Sequence, residues 1–249
     1  MKRKVRVRSW LIVFYMILCL CGMGFSLYNI IMWKMHVNDN NEIKKEIEDI
    51  VVIEDDKVEI NFNDLKAINP DVVGYIKIKN TDIGYAVVKG TDNSYYLKHN
   101  IKKEYNIAGW IFADFNNKVD GTDKNLVIYG HDTKDGSMFG TLHNLLNKDI
   151  QEKNENEIIF ITENETSYYQ IFSTYIIEPE DYYINTVFST DQEYTSFLNK
   201  IKSRSNYDYK VNVGLEDRVL TLSTCTDSGK KRVVVHARKF PKEVTEWKR

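Results

Sequence analysis

Three residues in this chain have types and spacings that suit covalent chemistry: Cys225, His131 and Arg232. Cys225 closes the run Arg218-Val-Leu-Thr-Leu-Ser-Thr-Cys225. Alternation with a period of two puts Thr221, Ser223 and Cys225 on one strand face, and Leu220, Leu222 and Thr224 on the other. A structural cysteine would more often share the leucine face, so its company of hydroxyls favours a working thiol. The remaining cysteines, Cys19 and Cys21, sit inside an N-terminal apolar run. Exported domains usually pair their cysteines or lack them, so a single thiol in such a domain points to reactivity.

Arg232 follows Cys225 after six intervening residues, with Ser228-Gly229 supplying turn chemistry between them. If the flanking runs pair as a hairpin, Cys225 and Arg232 stand nearly opposite each other. A guanidinium there can favour the thiolate, polarise a scissile carbonyl or hold an oxyanion. The plainer alternative is a solvated hairpin charge. His131 ends another β-like run, Asn125-Leu-Val-Ile-Tyr-Gly130, where the glycine permits a sharp exit. A histidine at a strand end beside a loop suits acid/base work near neutral pH. His36 and His99 lie in polar stretches, and His143 is off the stripe of its segment. His236 shares a strand face with Arg232 but lies four residues on, roughly 13 Å at about 3.3 Å per residue. That is too far for direct proton transfer to Cys225.

No Cys-x-x-Cys, His-Glu-x-x-His, EF-hand loop or glycine-rich phosphate loop occurs, so neither a metal nor a cofactor is expected.

Positioning such a set requires strands. Eight runs rich in Val, Ile, Tyr and Phe follow Pro70: 72–78, 82–88, 107–113, 125–130, 157–162, 167–177, 218–224 and 231–239. Their number and shortness predict a mainly β fold, a closed barrel or a sandwich. Residues 62–69 read as a short helix stopped by Pro70. Met138, Leu142, Leu145 and Leu146 form one helical stripe, and Tyr194, Phe197, Leu198 and Ile201 another. The second begins Thr190-Asp191-Gln192-Glu193, a capping-box pattern. A helix in the connection before the Cys225 strand exceeds what a barrel turn needs, and it is expected to form one wall of a substrate groove.

The N-terminal region has a different character. Residues 1–33 hold five basic residues and no acidic ones, leaving 29 basic and 36 acidic residues beyond. Trp10 to Trp33 has no charged residue in 24 positions, enough to span a bilayer with some tilt. The flanking tryptophans suit the interface, and the basic flank assigns the N-terminus to the cytoplasm. A cleaved signal is disfavoured by the length of the run and by the lack of an A-x-A-like site. Leu20 before Cys21 argues against a lipoprotein anchor. The expected division is a cytoplasmic tail at 1–9, a transmembrane anchor at 10–33, a stalk or N-terminal helix at 34–61, and an extracellular catalytic domain at 62–249. Ile43, Ile47 and Ile50 give the stalk a narrow apolar stripe. The basic cluster is too short, and too close to the apolar run, to suggest nucleic-acid binding.

Thr221-Leu-Ser-Thr-Cys225, Arg232 before a Val-rich strand and Tyr129-Gly-His131 upstream together resemble the sortases. That family carries a TLxTC signature, an Arg shortly after it and a His roughly 90 residues before the Cys; the gap here is 94 residues. His131-Asp-Thr-Lys-Asp-Gly-Ser-Met-Phe-Gly140, Ile68-Asn-Pro-Asp-Val-Val-Gly-Tyr75 and Asp92-Asn-Ser-Tyr-Tyr-Leu97 are similar to class B in particular. The resemblance covers about residues 62–240. It implies an eight-stranded β-barrel with N-terminal helices. It also implies cleavage of a C-terminal sorting motif after its Thr, through a thioester on Cys225 that an amine of a peptidoglycan precursor resolves. His131 would be acid and base. Arg232 would bind substrate or stabilise the oxyanion. Thr226 would offer its backbone N–H to that oxyanion, and Ser223 and Thr224 would shape the groove. Resolution by water would make the chain a cysteine endopeptidase instead, and a lysine acceptor would make it a pilin polymerase.

Overall fold

The computed structural model describes residues 9–54, 57–153, 155, 157–226 and 230–240; for Cys225 and Thr226 it describes the backbone. The chain runs through α1 (Ser9–Glu48), β1 (Val51–Glu54), β2 (Lys57–Ile60), α2 (Phe62–Ile68), β3 (Val72–Ile78), β4 (Gly84–Val88), β5 (Phe112–Ala113) and β6 (Asn125–Gly130). It continues through α3 (Lys148–Lys153), β7 (Glu157–Ile161), β8 (Thr166–Ile177), α4 (Asp191–Ser203), β9 (Val219–Thr226) and β10 (Lys231–Phe240). Strands β3 to β10 close a barrel in the order β10-β8-β7-β3-β4-β5-β6-β9. Its β4/β5 and β6/β9 pairs are parallel, and the rest are antiparallel. The barrel is the closed eight-stranded one that the sequence suggests, with a helix before the β9 strand.

The strands read as continuous apolar runs because helices and loops cover the barrel's outer face as well. All five residues of β4 are buried, as are Val233 to Ala237 of β10. Two sequence expectations change. Of 107–113 only Phe112–Ala113 joins the sheet, because Gly109 turns the chain at φ +57°. The Met138–Leu146 stripe is not an α-helix: Leu142–Leu146 form a 3-10 turn that buries Leu142 and Leu145, and Met138 precedes it at φ +51°.

Helix α4 has the expected start. Thr190 accepts from the Glu193 N–H at 3.1 Å, and the Glu193 carboxylate accepts from the Ser189 N–H at 2.8 Å, one residue earlier than a standard capping box. Its stripe Tyr194, Phe197, Leu198 and Ile201 is buried. Helix α1 has two halves without a break between them. Between Trp10 and Ile31 its large apolar side chains are mostly exposed, and it is long and apolar enough to cross a membrane. From Val37 onward it lies on the barrel, burying Val37, Asn40, Ile43 and Ile47. Asn40 donates to the Gly109 carbonyl at 2.9 Å, and Asn106 donates to the His36 carbonyl at 2.7 Å.

Candidate active site

Three adjacent strands bring the sequence-predicted residues together. β6 runs parallel to β9 at a constant offset of 94, from Asn125 beside Val219 to Gly130 beside Thr224. His131 follows Gly130, so the same register aligns it with Cys225. On the other side of β9, antiparallel β10 places Arg232 directly opposite Cys225. Arg232 is thus the cross-strand partner of Cys225, and His131 directly follows Gly130, the partner of Thr224, the residue before Cys225. The gap between His131 and Cys225 in the sequence is the register of a parallel pair.

The imidazole of His131 is held by a neutral partner. Its Nε2 lies 2.8 Å from the Leu97 carbonyl. A carbonyl oxygen can only accept, so Nε2 carries a proton and Nδ1 is the nitrogen left to exchange one. Leu97 closes the 3-10 turn Tyr95–Leu97, which the Asp92 carboxylate caps by accepting from Ser94 and Tyr95 N–H groups. Those hydrogen bonds, with the Ser94 hydroxyl first, hold the Asp92 carboxyl below its ordinary range. Gly109 lies beneath. A Cβ there would stand 2.5 Å from the Tyr96 carbonyl and 3.0 Å from His131 Cδ2, besides straining the backbone. Gly130 serves close packing rather than a sharp exit, since a Cβ would meet Ile111 at 2.4 Å and Phe139 at 2.7 Å.

His131, Arg232, Ser223 and Thr224 border a groove of about 290 Å³. Its other walls come from Tyr129 and Asn93, which the sequence offered only as members of motifs, and from Pro179–Asp181, Tyr183 and Ile184, which it did not single out. Tyr129 and Asn93 both donate to the buried Asp114 carboxylate, at 2.8 and 2.7 Å. Burial, then the Asp114 charge, raises the Tyr129 phenol well above its ordinary range, so it stays a donor. The Tyr183 hydroxyl lies 3.2 Å from Ser223 Oγ. A lone acid directly after the apolar run ending at Ala113 was the one sequence signal for Asp114.

Helix α4 does not itself line this groove. It backs the wall instead: Lys200 Nζ stands 3.7 Å over the Tyr182 ring, and Phe188 packs on Tyr194 and Phe197. Ser223 borders the groove. Thr224 is buried, and its hydroxyl has no hydrogen-bond partner among the described residues. The Thr226 backbone ends β9 opposite Lys231. The thiol of Cys225, the Thr226 side chain and the Ser228-Gly229 turn lie outside the described residues. Arg232 donates to the Lys231 carbonyl at 3.1 Å. None of the competing histidines borders the groove: His99 stacks on Tyr95 at 4.0 Å, His143 sits in the 3-10 turn, and His236 is fully buried.

A closed eight-stranded barrel whose groove is bordered by a histidine at the end of β6 and by the arginine that pairs with Cys225 fits a cysteine transpeptidase of the sortase type. The sortase domain family matches residues 76–240. Sortase B of Staphylococcus aureus is 36% identical over 182 residues, covering 71% of this chain and 73% of that protein. Among solved structures, sortase B of Bacillus anthracis in complex with AAEK1 superposes with a TM-score of 0.75 at 37% identity, covering 84% of this chain and 99% of the other. A sortase B complexed with triglycine gives a TM-score of 0.69 at 36% identity, covering 73% and 86%. The chain belongs to the sortase family, within its class B.

Proposed function

We propose that this transpeptidase is held at the cell surface by Trp10–Trp33, with its catalytic domain outside, and that it joins a sorted protein to a cell-wall amine. His131 takes the Cys225 thiol proton on Nδ1 as the sulfur attacks the carbonyl of the sorting motif's threonine. The C–N bond breaks as His131 gives its proton to the leaving amine, and a thioester remains on Cys225. His131 then takes a proton from an incoming amine, whose nitrogen displaces the sulfur and forms the new amide. Arg232 and the Thr226 N–H stabilise the oxyanion in both steps. The observation that supports this reading is the sheet register: Arg232 pairs with Cys225, and Gly130, just before His131, pairs with Thr224.

The acceptor is read as an amine of a lipid-linked peptidoglycan precursor. His131 also borders a second cleft, lined by Ile30 and Trp33 of α1 and by Ile107, Ala108 and Lys134. An acceptor delivered at the membrane surface would meet the histidine there. A related sortase B was solved with triglycine, so triglycine is the first acceptor to test. The test is incubation of the full-length chain with a library of sorting-motif peptides, with and without triglycine, followed by mass analysis. The expected product is the peptide cut after threonine and joined to triglycine. Hydrolysis alone under both conditions would make the chain an endopeptidase. Joining to a lysine side chain in preference to triglycine would make it a pilin polymerase.

A further inference from the structure

His236 is the histidine that this mechanism leaves unused. It sits in a belt of side chains crossing four neighbouring strands, with one residue on each: Asn125 on β6, Thr221 on β9, His236 on β10 and Tyr175 on β8. All four are buried. Their protons can be placed by counting donors. Asn125 gives its amide hydrogens to the carbonyls of Tyr183 and Asn185, at 3.2 and 2.9 Å, which fixes its oxygen as the acceptor facing Thr221. Thr221 therefore spends its single proton on Asn125 Oδ1, at 2.6 Å. The 2.8 Å contact from Thr221 to His236 Nδ1 then requires a proton on Nδ1. With full burial keeping the ring neutral, His236 Nε2 is bare and accepts from the Tyr175 hydroxyl at 2.8 Å. Tyr175 in turn accepts from Tyr182 at 3.2 Å.

The belt thus runs in one direction and begins and ends on one short segment. It starts at the Tyr182 hydroxyl and finishes at the carbonyls of Tyr183 and Asn185. That segment is the groove wall: Tyr183 and Ile184 line the groove, and Tyr183 reaches Ser223, two residues before Cys225. We propose that His236 is a positioning residue whose belt holds the 182–185 wall against the β9 strand at the width that the sorting peptide requires. No belt member except through Tyr183 touches the groove, so the belt acts on peptide binding rather than on the reacting bonds.

This inference rests on the transpeptidase reading above, and the experiment separates the two. Thr221→Val keeps the shape and removes the hydroxyl, leaving Asn125 Oδ1 and the His236 N–H without partners. Thr221→Ser restores the hydroxyl. Tyr182→Phe removes the outermost link while keeping the ring under Lys200. In the full-length chain, Thr221→Val should raise the KM for the sorting peptide about tenfold, and Tyr182→Phe about threefold, the effects of lost hydrogen bonds. kcat and the rate of Cys225 alkylation by a small reagent should stay within about twofold, and Thr221→Ser should recover most of the KM. The proposal fails if KM is unchanged in both variants. It also fails if kcat and the alkylatable fraction fall together at constant KM, which is the signature of a merely structural role. A wild-type chain that cleaves no peptide would overturn the transpeptidase reading instead. The belt is then judged by hydrogen exchange at the Ile184 and Asn185 amides, which bond to Asp181 and Tyr182. Faster exchange in Thr221→Val sustains it, and unchanged exchange overturns it.

Discussion

The ring of His131 is held by the Leu97 carbonyl, and among the described residues no carboxylate is bonded to it. A carbonyl orients the ring without offering the full negative charge that would stabilise an imidazolium. We therefore expect that Cys225 and His131 do not form a stable thiolate–imidazolium pair. Alkylation of Cys225 should rise with pH around the ordinary thiol value of about 8.5, and His131→Ala should move the midpoint by less than about one unit. A wild-type midpoint near 4–5 that climbs several units in the variant would establish the pair. Arg232→Lys should leave alkylation unchanged and lower kcat/KM by about a hundredfold, because a point charge does not reproduce the planar fork. The opposition of Cys225 and Arg232 was legible in the sequence as a hairpin, whereas the 94-residue gap to His131 was legible through the resemblance to the sortases and corresponds in the fold to the register of a parallel pair. Asp114 and Tyr183 were not, because their partners Asn93, Tyr129 and Ser223 lie in other segments that only the folded chain brings near. His236 was legible as a poor catalyst, though not as a buried one. Burial lowers it from 6.5 to about 3. Between those values the unfolded chain binds a proton that the folded chain refuses. Its stabilising contribution is therefore complete above about pH 6.5 and is lost as pH falls toward 3, by up to about 1.4 kcal/mol per pH unit. Denaturant titrations from pH 7 to pH 4 should show a shallower acid loss in His236→Gln than in wild type; parallel slopes would mean that the ring is protonated in the folded state.

At the scale of elements, the barrel strands were readable because β-branched and aromatic runs bounded by turn residues form strands whichever neighbours they find. What failed were segments whose conformation is set by contacts elsewhere. Gly109 takes φ +57° because the turn it makes fits under His131 and against α1. Met138 occupies the left-handed region while its N–H donates to the Tyr85 hydroxyl at 2.8 Å. Helix α4 and its cap are visible in the sequence, yet its place in the fold is not. The apolar stripe shows which face is buried, whereas the groove is formed by the irregular residues ahead of the helix. Specificity should follow that division. Exchanging exposed α4 residues such as Gln192, Ser196 and Asn199 should leave the ranking of sorting peptides unchanged, whereas substitutions at Pro179, Asp181 or Ile184 should reorder it. Comparing the cleavage rates of one peptide panel across both sets of variants checks this, and reordering by the α4 set would return the wall to the helix.

For the whole molecule, α1 joins an exposed apolar half and a half docked on the barrel in one continuous helix. Its 40 residues extend about 60 Å at 1.5 Å per residue. No break separates the exposed apolar half from the half docked on the barrel, so if the apolar half spans a membrane, as proposed, the docked half would set where the membrane surface lies relative to the active site. Asn106 binds the His36 carbonyl one helical turn after Trp33, and the turn it belongs to carries Gly109 beneath His131. The two halves should separate cleanly on truncation. Removing residues 1–34 takes away the exposed apolar surface and leaves Val37, Asn40, Ile43 and Ile47 in place. That chain should leave the membrane fraction and keep its melting temperature. Removing residues 1–48 strips Ile43 and Ile47 from the core, each worth about 1.5–3 kcal/mol on burial, and leaves the Gly109 carbonyl and Asn106 without α1 partners. That chain should melt well below the first, by several degrees for each kcal/mol lost. With the intact chain, protease added to whole cells should digest the barrel. A barrel cut only after lysis would reverse the orientation that the basic N-terminal flank assigns. Equal melting temperatures for the two truncations would show that α1 merely tethers the barrel and does not fix its height above the bilayer.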